Sequence, residues 1–196
     1  MDGANLGPTI RSLVEGQKVF ASRYTLMKIV GQSSSSVVWL AWDEKQDRDV
    51  ALKYLPEMVK EDASALAILK REVFKLQELK NPLLVPIYAV EDEGKVVAIV
   101  TEYIEGGTLS DLRAQKSNHV YSPPELADWM QQLCQLLEFA HSDAQLAHGA
   151  LKPSNLIVSK KGALRVSDFA VERHITAFTN RVREGHSAAP SFTYLS

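Results

Sequence analysis

The chain has 196 residues, with 22 Lys plus Arg against 24 Asp plus Glu and a formal net charge of −2. A hydrophobic fraction of 45% and a charged fraction of 23% are ordinary globular usage, which excludes a disordered chain, a collagen-like repeat and a polyanion-binding tail. One cysteine, Cys134, excludes an intrachain disulfide framework, and no run approaches the roughly 18 apolar residues of a membrane helix.

Residues 1–20 hold Gly3, Gly7, Pro8 and Gly16 among polar groups, which reads as a loose extension with one short ordered stretch near Ile10 to Val14. Met1 to Val14 carries no apolar core of signal-peptide length, so a soluble, cytoplasmic chain is expected. Tyr24 to Val30 and Val37 to Trp42 are rich in β-branched and aromatic residues and flank Gly31 and the serines 33–36, a strand–turn–strand pattern. Val50 to Leu55 is a third strand, stopped by Pro56. Asp62 to Lys80 places apolar residues at 66, 69, 73, 76 and 79, which is helical spacing, and Asn81–Pro82 ends it. Leu83 to Val90 and Lys95 to Tyr103 read as two strands around the acidic turn Glu91 to Gly94.

Gly106–Gly107 is expected to break the sheet, and Thr108 with Asp111 marks a helix start. Ser122-Pro-Pro-Glu125 marks a second, with a Ser cap, proline at the first helical position and an acid three residues on. Leu126, Met130, Leu133, Leu137 and Ala140 line one face of that helix. Leu156 to Val158 and Leu164 to Val166 resemble short strands joined at Lys161–Gly162. The expected order is five strands with one inserted helix, then a mostly helical part beginning near Gly106.

Five short motifs stand in order along this framework. Gly31-Gln-Ser-Ser-Ser-Ser-Val-Val38 lies between two strands, Val50-Ala-Leu-Lys53 on the next strand and Glu72 on the following helix. His148-Gly-Ala-Leu-Lys-Pro-Ser-Asn155 follows the long helix, and Ser167-Asp-Phe-Ala170 follows the last hairpin. Singly each is commonplace. Together, over about residues 20–196, the set resembles the protein kinase family, in its Ser/Thr branch. The phrase Val-Ala-Leu-Lys-Tyr-Leu-Pro56 is similar to bacterial members, which often tether to a membrane by a later segment.

The resemblance implies an α+β, bilobal kinase-like fold. It implies an extension over 1–20, an N-lobe of five antiparallel strands plus one helix over 21–105, and a partial, mostly helical C-lobe over 106–196. It implies ATP and Mg²⁺ as cofactors. Lys53 would contact the α- and β-phosphates and form an ion pair with Glu72. Asp168 would carry Mg²⁺, with Asn155 at the second metal position, and Lys152 would sit near the transferred phosphate. Gly31 and Ser33 belong to the loop over the phosphates. Val38, Ala51 and Ile157 would sandwich the adenine, Glu102 and Ile104 would offer hinge backbone groups, and Thr101 would be the gatekeeper. Leu76, Ile87, His148 and Phe169 match the apolar stack that links the two lobes.

The sequence also departs from the family. Ala150 stands where the family has the Asp that accepts the substrate hydroxyl proton. A positioned base is worth about 10²–10⁴ in rate, so efficient transfer is not expected, although a trace is compatible with a reaction driven mostly by positioning. Gly149 replaces the arginine that would hold a phosphorylated activation loop. Ser33 and Ser36 replace glycines, which adds a Cβ where the backbone approaches phosphate. Ala170 replaces the glycine after Asp168–Phe169, which is expected to stiffen the start of the activation segment, Val171 to Ser196, with its Arg173, Arg181 and Arg183. In the family, further helical lobe follows the position of Ser196. The expectation is an excised fragment or shortened reading frame whose long helix, 122–141, exposes an apolar back and calls for self-association or a protein partner.

Three functions are thus in play. The first is a pseudokinase that binds nucleotide and serves as a regulatory or scaffolding module. The second is an active Ser/Thr kinase with an atypical catalytic loop, for which Asp143 and Glu172 are the nearest spare carboxylates. The third is an interaction module that has abandoned nucleotide. A net charge of −2 without a basic stripe argues against a nucleic-acid partner, and one Cys with five scattered His argues against zinc.

Overall fold

The computed structural model describes residues 7–33, 36–172 and 175–176. In chain order the elements are α1 (Pro8–Arg11), β1 (Lys18–Val19), β2 (Tyr24–Gln32), β3 (Val37–Asp43), β4 (Arg48–Tyr54), α2 (Met58–Glu61) and α3 (Ala63–Gln77). After them come β5 (Ile87–Glu93), β6 (Val96–Glu102), β7 (Gly106–Thr108), α4 (Leu109–Gln115), α5 (Pro123–Ser142), a 3₁₀ turn (Pro153–Asn155), β8 (Leu156–Ser159) and β9 (Leu164–Val166). Arg173, Arg181, Arg183 and the stretch 177–196 lie outside the described residues.

Antiparallel pairing gives one sheet in the order β1-β2-β3-β4-β6-β5. The expected five strands are there, and a sixth is added at the edge, where Lys18 pairs with Thr25 and Val19 with Tyr24. Two residues are too few to carry a period-two signal. The segment read as a loose extension also packs. Ile10 of α1 and Phe20 are buried on the outer sheet face with Tyr24, Trp39, Leu52 and Tyr54, and Phe20 stacks on Tyr54 at 5.9 Å between ring centroids.

Asp43 at the end of β3 is fully buried and fully used. It accepts from Arg23 Nε at 3.2 Å and Nη2 at 3.0 Å, and from the backbone N–H of Lys45 and Gln46. Arg23 Nη1 and the Tyr24 hydroxyl both donate to Glu91 at 2.9 Å, so one ionic cluster ties β2, β3 and β5. Burial pushes the Asp43 carboxyl up, but the bonds from Arg23 and the two backbone N–H groups outweigh it and hold the carboxyl below its ordinary range.

Helix α3 turns Leu66, Leu69, Val73 and Leu76 inward, as their spacing predicts. It begins one residue later than expected because Asp62 caps it, accepting from the N–H of Ser64 and Ala65. The run 83–90, expected as one strand, splits at Pro86, which has no N–H to donate. Leu83 to Val85 bonds instead to β9, with Val85 N–H to Val166 O at 2.9 Å and Val166 N–H to Leu83 O at 2.7 Å. The acidic residues 91–93 continue β5 against β6, and the turn falls at Gly94, whose φ is +58°.

Gly106–Gly107, expected only to break the sheet, forms β7 of a second sheet, β7-β8-β9. A Cβ on Gly106 would lie 2.0 Å from Val158 O, so only glycine permits that approach. Thr108 and Asp111 cap α4 reciprocally. Glu125 accepts from the Ser122 N–H at 2.7 Å at the start of α5. That helix buries Leu133, Leu136 and Ala140, with Met130 and Leu137 packed beside them. Among the described residues no helix is long and apolar enough to cross a membrane.

Candidate active site

Alternation along β4 sends Val50, Leu52 and Tyr54 into the outer core and leaves Ala51 and Lys53 on the other face. Cross-strand partners share a face, so Val38, opposite Lys53, and Thr101, opposite Ala51, join them. All four are half-buried. Ile157 is half-buried on β8, opposite Thr108 and Arg165. The strip after β6 is tied at Glu102, whose N–H donates to Pro86 O at 3.0 Å and whose carboxylate is paired with Arg165 of β9. Ile104, two residues on, donates its N–H to no described group.

The loop 148–155 is held largely through its backbone. His148 Nε2 bonds Ser167 O at 3.1 Å, and His148 Nδ1 accepts from the Ala150 N–H at 3.2 Å. Asn155, buried, donates Nδ2 to Ala150 O at 3.0 Å, while Asn155 O accepts from the Ser167 N–H at 2.9 Å. His148 packs edge-on against Phe169, with centroids 4.9 Å apart. Phe169 and Leu76 are buried in one core cluster with Ile87 packed against it, so the four residues of the expected stack lie in one region. Gly149 has φ +74°, a conformation glycine adopts freely. Asp168 and Ala170 sit at φ +59° and +56°. For the alanine this costs about 1–2 kcal/mol that a glycine would not.

Lys53 Nζ donates to Asp168 at 2.7 Å and to Glu172 at 3.0 Å. The expected partner, Glu72, takes neither of these places. It is buried on α3, and its described ion pairs are to Lys75 at 2.9 Å and Arg71 at 3.5 Å on its own helix. Glu172, expected only as a spare carboxylate near the catalytic loop, instead pairs with Lys53, which the sequence did not signal. Its second oxygen accepts from Lys152 Nζ at 2.6 Å, so one carboxylate joins the two lysines assigned to phosphate. A lone acid four residues after Asp168 carries no spacing signal for that pairing. Burial pushes Lys53 down and Glu172 up. The mutual attraction overrides both, leaving the Lys53 ammonium above its usual range and the Glu172 carboxyl at about 2. On the β2–β3 hairpin, Gly31 pairs with Val38, and Ser33 closes the tip by its N–H to Ser36 O at 2.9 Å.

His148 sets a pH dependence. Burial holds its pKa below the ordinary 6.5, and its Nδ1 is already occupied as an acceptor from Ala150. The unfolded chain therefore takes up a proton below about pH 6.5 that the folded chain refuses. This stability contribution is fully present above that pH and is lost as the pH falls through it, with a slope of at most about 1.4 kcal/mol per unit. Urea unfolding between pH 7.5 and 5.5 checks this, and His148→Gln is expected to flatten the slope.

The sequence model described as a protein kinase domain matches residues 24–193. Serine/threonine-protein kinase PrkC of Bacillus subtilis is 30% identical over 179 residues, which is 91% of this chain and 27% of that protein. Serine/threonine-protein kinase PknB of Mycolicibacterium smegmatis is 31% identical over 180 residues, covering 90% and 28%. The crystal structure of the Mycobacterium tuberculosis PknI kinase domain superposes with a TM-score of 0.69 at 21% identity, over 82% of this chain and 64% of that one. The fold is thus that of a protein kinase, α+β and bilobal. The chain belongs to the protein kinase family and is similar to its bacterial Ser/Thr branch. It spans about a quarter of the length of the curated relatives it matches.

Proposed function

We propose that this chain is a nucleotide-binding kinase domain with impaired phosphoryl transfer, a pseudokinase acting as a regulatory or scaffolding module. One observation carries the reading. The side chains of Lys53, Asp168 and Lys152 join in a single charge cluster through Glu172, while the base position is a methyl group, Ala150. In this reading residues 21–105 clasp the nucleotide from above and 106–196 supply the metal-facing and substrate-facing loop. Lys53 binds the α- and β-phosphates. Val38, Ala51 and Ile157 flank the adenine, and Ile104 N–H is the hinge donor that an adenine ring nitrogen accepts from. Thr101 stands behind the ring, and Gly31 and Ser33 lie over the phosphates. In the family's arrangement Glu72 would exchange its present partners for Lys53 once Glu172 releases that lysine.

The residues fit a magnesium nucleotide. Asp168 and Asn155 each keep one side-chain oxygen without a described hydrogen bond, and hard oxygen donors suit Mg²⁺. Among the described residues no cluster of three or more His, Cys, Asp or Glu gathers, so the ion would rest on these two groups and on phosphate. When bound, Mg²⁺ supplies charge neutralisation between the phosphates. The chain orients the polyphosphate with two ammonium groups. No side chain at 150 takes the proton of an incoming hydroxyl.

The test is a single-turnover transfer of labelled γ-phosphate to a Ser/Thr peptide at saturating Mg-ATP. The expected rate in the wild type does not exceed that of Asp168→Asn. Robust transfer that vanishes in Asp168→Asn would overturn the impairment and establish an active kinase.

A further inference from the structure

We propose that the Glu172 carboxylate is a built-in competitor for nucleotide phosphate, one that a polyphosphate must displace to reach Lys53 and Lys152. The inference rests on the nucleotide-binding reading above. Glu172 presents one oxygen to Lys53 of β4 and the other to Lys152 of the 148–155 loop, at 3.0 and 2.6 Å. Those cations come from opposite sides of the cleft. A carboxylate spanning two cations through its two oxygens does what an edge of a phosphate does, with charge-assisted hydrogen bonds on both sides. The glutamate is well shielded, at 19% side-chain exposure, and Lys53 at 14%, so the pair keeps more of its strength than a surface bridge would.

Charge crowding points the same way. An ammonium has three N–H donors, and on Lys53 two are committed, to Asp168 and Glu172. A polyphosphate arriving with Glu172 in place would crowd three anionic groups around one cation. A magnesium ion would relieve the charge on Asp168, whereas Glu172 holds the two cations the phosphates would take and is the group displaced. Nucleotide entry is therefore coupled to movement of the chain just past Ala170. The coupling is reciprocal, so anything that draws residue 172 out of the cleft tightens nucleotide binding by the same factor.

The experiment is a calorimetric titration of Mg-ATP and of adenosine into the wild type, Glu172→Gln and Glu172→Asp at one salt concentration. Neutralising the competitor is expected to raise ATP affinity about tenfold, the scale of one charge-assisted hydrogen bond, and to leave adenosine unmoved. Glu172→Asp keeps the charge but is one methylene too short to span both lysines, so an intermediate gain is expected. It carries the test if Glu172→Gln does not fold. Equal ATP affinity in all three proteins overturns the proposal and leaves the nucleotide reading standing. Weaker ATP binding in Glu172→Gln also overturns it, making the glutamate a supporting group. An equal gain for adenosine overturns it in favour of general loosening of the cleft. ATP binding to none of the folded proteins overturns both readings together.

Discussion

Ala150→Asp is expected to raise single-turnover phosphoryl transfer by about 10²–10⁴, the usual worth of a positioned general base. In barrier terms that is about 2.7–5.5 kcal/mol. The site can receive the change because the loop does not depend on the side chain at 150. The Ala150 N–H is held by His148 Nδ1, and the Ala150 carbonyl accepts from Asn155 Nδ2. A new carboxylate therefore enters a loop whose backbone is already fixed. Ala150→Asn is the control, with the same size and no basicity. If the Asn variant gains as much as the Asp variant, or neither gains, the missing base is not what limits the reaction.

Asp43→Ala is expected to destabilise the fold by about 3–5 kcal/mol, the cost of removing one partner from a buried ion pair. The guanidinium of Arg23 would lose both its bonds to Asp43 and the Lys45 N–H its acceptor, while the Gln46 N–H would keep the residue-43 carbonyl at 3.2 Å. Arg23 is partly exposed, at 30%, which places the loss at the lower end. At roughly 2–4 °C per kcal/mol for a chain of this size, the melting temperature falls by about 10 °C. Asp43→Asn keeps the shape and part of the hydrogen bonding and is expected to fall between. The sign with pH follows from the lowered carboxyl. Its contribution is present above the ordinary value of 3.8 and is lost as the pH falls through it towards the folded one. Denaturant unfolding of the three proteins at pH 7 checks the order, and an unchanged midpoint in Asp43→Ala would mean that the cluster stabilises nothing.

Much of this is legible in the sequence where a physical signal is local. The caps at Thr108 and Ser122, the α3 period and the β-branched strands each announce themselves within a few residues. The five short motifs lead one to expect Lys53, Asp168, Asn155 and Lys152 at one site, and the structure pairs the first two directly. What stays hidden is set by contacts distant in sequence. Strand β1 is two residues long and exists because β2 offers an edge. The run 83–90 reads as one strand, and Pro86 divides it between two sheets. The partner of Lys53 is the clearest case. Family resemblance names Glu72, 19 residues away, whereas the structure gives Asp168 and Glu172, 115 and 119 residues away. Nothing in a pentapeptide Asp-Phe-Ala-Val-Glu reports that its last carboxylate will meet Lys152.

Everything proposed for this cleft depends on its holding a nucleotide through Lys53. The direct measurement is a calorimetric titration of ATP, with and without Mg²⁺, into the wild type and Lys53→Ala, with thermal shift on the same samples. A ligand at 100 times its Kd stabilises by about 2.7 kcal/mol, so the two readouts must agree. Binding that strengthens with Mg²⁺ and is lost in a folded Lys53→Ala is the predicted result. A folded wild type that takes up no ATP at millimolar concentration, or a Lys53→Ala variant that binds it equally well, would contradict a nucleotide site built on this lysine.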